Sequence, residues 1–171
     1  MSSKLSKNQL EKYSRQIILK NIGILGQKKI LNSRVLIIGM GGLGCPVAEF
    51  LTRSGVGFLG IVDHDLVGLS NIHRQTLYDE KDIGISKVKA AKKKLANINS
   101  KTKIDIYNLK LDKKKFKKII KNYDYIVDGT DNFETKFLIN DISLEYKKFL
   151  VTGAISKFDG HIFTFNFNDK K

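Results

Sequence analysis

The sequence predicts an α/β protein built on a doubly wound, mainly parallel sheet, and three observations carry that prediction. Short apolar runs at 35–38, 58–62, 104–109, 125–127 and 149–151 are in several cases continuous rather than alternating, the pattern of strands buried on both faces. Stretches with helical spacing lie between them, at 45–54, 87–98, 113–121 and 132–147; in the second, Val88, Ala91, Leu95 and Ile98 share one face. A glycine-rich turn joins the first apolar run directly to the first of these helices. Such alternation implies parallel crossovers and helices covering both faces of one sheet.

The elements follow in order. Residues 7–31 read as one or two N-terminal helices, with Leu10, Tyr13, Ile17, Ile18, Ile22, Leu25, Ile30 and Leu31 as apolar contacts. The strand and helix alternation then runs to residue 151. After a turn at Lys157-Phe158-Asp159-Gly160, residues Phe163, Phe165 and Phe167 alternate with Thr164 and Asn166, which predicts an antiparallel strand with one buried face. The expected sheet is therefore mixed. With 171 residues and no linker, repeat or composition break, one domain is expected over 1–171: a helical arm to about 31, then a core over 32–171.

Composition narrows the function classes. No apolar stretch reaches the roughly 20 residues of a membrane helix, and the N-terminus lacks the apolar segment of a secretory signal, so a cytoplasmic protein with no membrane partner is expected. The formal charge of +14 raises nucleic-acid binding. The excess is nearly all lysine, however, in runs such as Lys92-Lys93-Lys94 that fall on expected exposed helix faces without interleaved aromatic or arginine residues. No nucleic-acid partner is expected, and an acidic protein partner is compatible with the charge. A single cysteine, Cys45, allows neither an intrachain disulfide nor a four-cysteine zinc site, so no zinc site is expected. Nothing in the adjacent sequence supplies a base or cation to activate Cys45, which reads as a packing residue. His64, His73 and His161 are scattered and do not suggest a metal site.

The segment Gly39-Met40-Gly41-Gly42-Leu43-Gly44 follows a strand and opens a helix, the context in which such a glycine pattern binds phosphate. Glycine allows the tight turn and close approach of N–H groups, and the helix N-terminus adds partial positive charge. Asp63 ends the next strand about 20 residues later, where a carboxylate can bond ribose hydroxyls. These features alone admit any nucleotide with an adenosine ribose. If the strands wind in the order 3-2-1-4, the Gly turn faces Asp128-Gly129-Thr130-Asp131-Asn132 across one crevice. A carboxylate beside polyphosphate needs an intervening cation, so Asp131 suits Mg²⁺ with ATP; its other reading is a cap for the helix at 132–147. Arg74 and Lys87 can supply charge to β- and γ-phosphates, though Lys87 by spacing alone is an ordinary exposed lysine.

Together, several ordered segments resemble the ThiF/MoeB/HesA family, whose adenylation domain is shared with ubiquitin-activating enzymes. They are Tyr13-Ser14-Arg15-Gln16-Ile17, the Gly turn, Asp63-x-Asp65, Ser70-Asn71-Ile72-His73-Arg74-Gln75, Ile83-Gly84-x-Ser86-Lys87-Val88, Asp128-x-x-Asp131-Asn132, and Gly153-Ala154 on to Gly160. The resemblance implies a Rossmann-like core that adenylates the C-terminal glycine carboxylate of a ubiquitin-like, β-grasp sulfur carrier ending in Gly-Gly, with release of pyrophosphate. It implies that Gly39, Gly41, Gly42 and Gly44 hold phosphates and Asp63 the ribose. Asp65, Ser70 and Asn132 join the nucleotide site by the same matching, Asn71, Arg74 and Lys87 contact the triphosphate, and Asp131 binds Mg²⁺. It further implies a homodimer in which Arg15 reaches the partner's ATP site. The family usually continues past residue 171, often with zinc-binding cysteine pairs, so a C-terminally truncated chain is expected. Two other readings remain at this stage: an NAD-dependent oxidoreductase, from the Gly turn and Asp63, and a catalytically incomplete nucleotide-binding interaction subunit.

Overall fold

The computed structural model describes residues 4–167; the outermost residues of the expected domain, 1–3 and 168–171, lie outside the described residues. Six strands form one sheet: β1 (Arg34–Ile38), β2 (Phe58–Asp63), β3 (Lys103–Asn108), β4 (Tyr125–Asp128), β5 (Phe149–Ser156) and β6 (Asp159–Asn166). Their order is β3-β2-β1-β4-β5-β6, parallel throughout except for the final antiparallel pair. The expected mixed, doubly wound sheet is what forms.

β1 shows why the runs are continuous. Val35 and Ile37 enter one apolar cluster with α4 (Gly44–Ser54) and α5 (Lys87–Ile98), through Cys45, Ala48, Val88, Ala91 and Leu95. Leu36 and Ile38 enter a second cluster, on the opposite face, with α6 (Lys113–Ile119) and α7 (Phe133–Glu145), through Phe116, Ile119, Ile139 and Ile142. Side chains alternate between faces along a strand, so a strand buried on both must be apolar at every position.

Two expectations are corrected. The N-terminal arm is three helical pieces rather than one or two: α1 (Lys7–Lys12), α2 (Ser14–Ile17) and α3 (Gly23–Asn32). Tyr13 leaves helical geometry between the first two, and Gly23 enters α3 with φ of +56°, a turn that a continuous helix does not contain. The arm is pinned to the far end of α4. Gln16 and Gln27 both donate to the Ser54 carbonyl, and Asn99 donates to the Tyr13 hydroxyl at 3.2 Å. The second correction concerns β6, which has no buried face. Ile162 is 77% and Phe163 53% exposed on this edge strand, while of the alternating aromatics Phe167, just past β6, packs against the second apolar cluster.

Candidate functional site

The C-terminal ends of β1 and β4 lie side by side, with Ile38 registered against both Val62 and Asp128. This is the point where the winding reverses, the usual ligand crevice of an open α/β sheet. The Gly turn leaves β1 here. Gly39 takes φ of +89°, and a Cβ on it would lie 2.9 Å from the Gly129 carbonyl oxygen. A Cβ on Gly44 would lie 1.8 Å from the Gly39 oxygen, so the turn closes on itself only with glycine at both positions. Gly41 and Gly42 differ. Their φ is not positive, and a Cβ would meet nothing closer than 3.8 Å, from Gln75 and Arg74 respectively. Neither conformation nor packing requires glycine there, and neither N–H has a hydrogen-bond partner among the described residues. What remains is room for a ligand to approach two unpaired donors at the start of α4.

Asp63 anchors this turn from β2. Its carboxylate accepts the Met40 N–H at 2.7 Å and the Asp65 N–H at 2.8 Å. Each oxygen keeps a lone pair beyond these bonds, so the residue can still accept from a ribose. Residues 66–86 form a loop with a tied neck: Leu66 bridges Ser86, the Lys87 N–H reaches the Asp65 carbonyl, and Lys87 Nζ lies 2.8 Å from Asp65 Oδ2. Lys87 is buried, at 6% exposure, so it is not the ordinary exposed lysine that spacing suggests. Its ammonium holds the Asp65 carboxyl below the usual carboxylate range, and only one of its three donors is used.

On the same loop Arg74 lays its aliphatic stem beside Gly42 while Nη1 donates to the Ser70 carbonyl at 2.8 Å. Asn71 Oδ1 accepts the Gly68 N–H, and the Ser70 hydroxyl makes no hydrogen bond among the described residues, so Asn71 through its side chain and Ser70 through its carbonyl shape the loop that carries Arg74. Across the crevice, the cap of α7 is Asn132, whose Oδ1 accepts the Thr135 N–H. The cap reading of Asp131 is thereby corrected: its carboxylate is exposed and has no partner among the described residues.

The turn bearing Asp131 is held from beneath by a group that spacing did not reveal. Buried Asp128 accepts from the Thr130 N–H, from the Thr130 and Thr152 hydroxyls, and from Lys136 Nζ at 2.9 Å. Lys136 also donates to the Gly153 carbonyl at 2.7 Å. The only sequence signal was the presence of Asp128 in the motif; the partner eight residues on looks like any other lysine.

Arg15 is not brought into this site. The structure seats α2 against Ser54, at the opposite end of the 11-residue helix α4 from the Gly turn, about 16 Å along its axis. Asp63, His64 and Asp65 do place three potential ligand atoms within 4.8 Å of one another. Yet Asp63 already accepts two N–H groups and Asp65 is paired with Lys87, so a cation there competes with an existing ammonium. Asp131 is the better Mg²⁺ candidate: a free, exposed carboxylate two residues past Gly129, which lies against the Gly turn, suits an ion that keeps most of its waters and takes one or two carboxylates plus phosphate oxygens. Cys45 is inert here. Burial pushes the thiol up to about 11, outweighing hydrogen bonding from Leu77 and Tyr78 and the Lys87 charge, all of which favour the thiolate.

Residues 13–171 match the profile of the ThiF family. The chain is 44% identical over 165 residues to the adenylyltransferase and sulfurtransferase MOCS3 of Dictyostelium discoideum, covering 96% of this chain and 39% of that protein. It thus spans about two-fifths of the length of such relatives. Among solved structures, PaaA superposes with a TM-score of 0.86 at 25% identity, over 99% of this chain and 55% of that one. E. coli MccB, crystallised with ATP, superposes at 0.77 and 26% identity, over 90% of this chain and 47% of that one.

Proposed function

The chain belongs to the ThiF family, and from that premise we propose that it binds ATP at the β1–β4 crevice and adenylates the terminal glycine carboxylate of a ubiquitin-like sulfur carrier ending in Gly-Gly, of the molybdopterin- or thiamine-biosynthesis type. The observation that carries this reading is the pairing of two unoccupied N–H donors at Gly41 and Gly42 with the Arg74 stem beside Gly42. Support for the nucleotide comes from MccB, crystallised with ATP, and for the chemistry from MOCS3, an adenylyltransferase and sulfurtransferase.

In this mechanism the Gly41 and Gly42 N–H groups fix the phosphates and Asp63 accepts from the ribose. Arg74 and Lys87 offset charge on the β- and γ-phosphates and on the departing pyrophosphate. A Mg²⁺ ion at Asp131 would neutralise phosphate charge that the protein leaves uncompensated. A carrier carboxylate oxygen bonds to the α-phosphorus, and the bond from that phosphorus to the oxygen bridging to the β-phosphate breaks. The carboxylate attacks as an anion, so no general base is required, and alignment is the protein's main contribution. We propose the cytoplasm as the compartment, since it supplies the ATP consumed. We also propose a homodimer: Arg15 lies too far from its own crevice to act there, and a role in catalysis for it requires a second copy.

The test is carrier-dependent exchange of labelled pyrophosphate into ATP. Asp131→Ala should fold normally and lose about 10²- to 10³-fold in exchange rate. Exchange that persists undiminished in a folded Asp131→Ala protein removes that residue from the mechanism, and a wild-type chain that supports no exchange but reduces or oxidises a nicotinamide cofactor would favour the oxidoreductase.

A further inference from the structure

We propose that Tyr78, assisted by Cys45, is a positioning residue that aims the Gly41 N–H at the nucleotide phosphates; the inference rests on the ATP-binding reading above. The Tyr78 hydroxyl donates to the Met40 carbonyl oxygen at 2.9 Å, and the Cys45 thiol lies 3.4 Å from the same oxygen. Met40, Cys45 and Tyr78 are all buried, so this carbonyl is drawn into the core. No described peptide is cis. In a planar trans peptide the carbonyl and the following N–H point in opposite directions, so an inward Met40 oxygen turns the Gly41 N–H outward, away from the core.

The remaining bonds of the turn do not fix this plane by themselves. The Met40 N–H is held by Asp63 at 2.7 Å, and the Gly41 carbonyl accepts the Cys45 N–H at 3.0 Å, but both belong to neighbouring peptides. A peptide preceding glycine can flip with little steric resistance, because glycine accepts either sign of φ. A flip here would present a carbonyl oxygen to the phosphates in place of a donor. Tyr78 opposes the flip with the stronger of the two donors. Burial raises its phenol above the ordinary range, which keeps the hydroxyl protonated at every working pH. The thiol alone is a weak donor, so replacing the phenol would leave the Met40 oxygen poorly satisfied in the core.

Tyr78→Phe removes one oxygen and keeps the ring. Calorimetric titration of the purified chain should show Mg·ATP binding about 3- to 10-fold weaker, with adenosine affinity unchanged, because only the phosphates meet the Gly41 N–H. Cys45→Ala should show the same phosphate-selective pattern at smaller size, and serves if Tyr78→Phe does not fold. Ile104→Val, a mild truncation in the same apolar cluster without contact to the turn, should leave both affinities as in wild type. The proposal is overturned if Tyr78→Phe binds Mg·ATP as tightly as wild type, if it loses ATP and adenosine equally, or if Ile104→Val weakens ATP as much. A wild-type chain that binds no ATP instead overturns the adenylating reading itself.

Discussion

Gly42 and Gly44 stand two residues apart, and alanine at each should give opposite results. At Gly44 the new Cβ falls 1.8 Å from the Gly39 oxygen and 2.9 Å from its carbonyl carbon, both backbone atoms of a turn already fixed by its own geometry. Relief demands movement on the order of 1 Å in the packed loop, at a cost of about 3 kcal/mol or more, the upper end for overpacking. At Gly42 the Cβ meets only the Arg74 stem at 3.8 Å, an ordinary contact, and φ is already negative. Stability there should hold or rise by about 0.4–1 kcal/mol through the stiffer unfolded chain. The methyl group nevertheless takes up open space beside an unpaired N–H and the Arg74 stem, where the proposed phosphates would lie. ATP affinity should therefore fall at least about tenfold, or 1.4 kcal/mol. Urea denaturation and calorimetric ATP titration on the two variants separate these effects. A Gly42→Ala protein that is stable and binds ATP normally would refute the assignment of that space to phosphate.

Lys136→Met should lose about 3–5 kcal/mol in urea denaturation, because it strands the Asp128 carboxylate, whose side chain is 1% exposed; a loss under about 1 kcal/mol would show that the remaining hydroxyl and N–H donors suffice. The Cys45 thiol is raised from 9.0 to about 11 in the folded protein, so its contribution to stability is complete below pH 9 and is lost as pH climbs through 11. Cys45→Ala should lack that part of the alkaline decline, and identical pH profiles for the two proteins would contradict it. Mixing Arg15→Ala with Asp131→Ala chains should restore exchange, to at most about half of wild type per heterodimer, since one site carries both defects and the other neither. No recovery in mixtures shown to contain heterodimers would sink the shared site.

The sheet was legible because burial on both faces leaves no freedom at positions such as Val35 to Ile38, and the order 3-2-1-4 supposed from the usual winding of such sheets is the one that forms. Legibility failed where identity does not encode environment. Phe163 and Phe165 alternate as a half-buried strand would, but the covering element that alternation presumes is not among the described residues. Lys87 and Lys136 resemble the many solvated lysines of the chain, and only tertiary geometry sets them against Asp65 and Asp128. Tyr78 reads as core beside Leu77. Its hydroxyl matters through a carbonyl 38 residues away, a separation that no local pattern can report.

The apolar edge of β6 also bears on how the molecule behaves in solution. Among the described residues no strand pairs its outer side, and Ile162, Phe163 and Phe165 stand in solvent, a template for edge-to-edge joining of copies. Mutual repulsion from a formal charge of +14 opposes such joining. That repulsion reaches about 30 Å at 0.01 M salt and only about 3 Å at 1 M. Concentrated salt should therefore favour edge-to-edge contact between copies through β6, a contact separate from the dimer proposed through Arg15, while leaving the fold untouched.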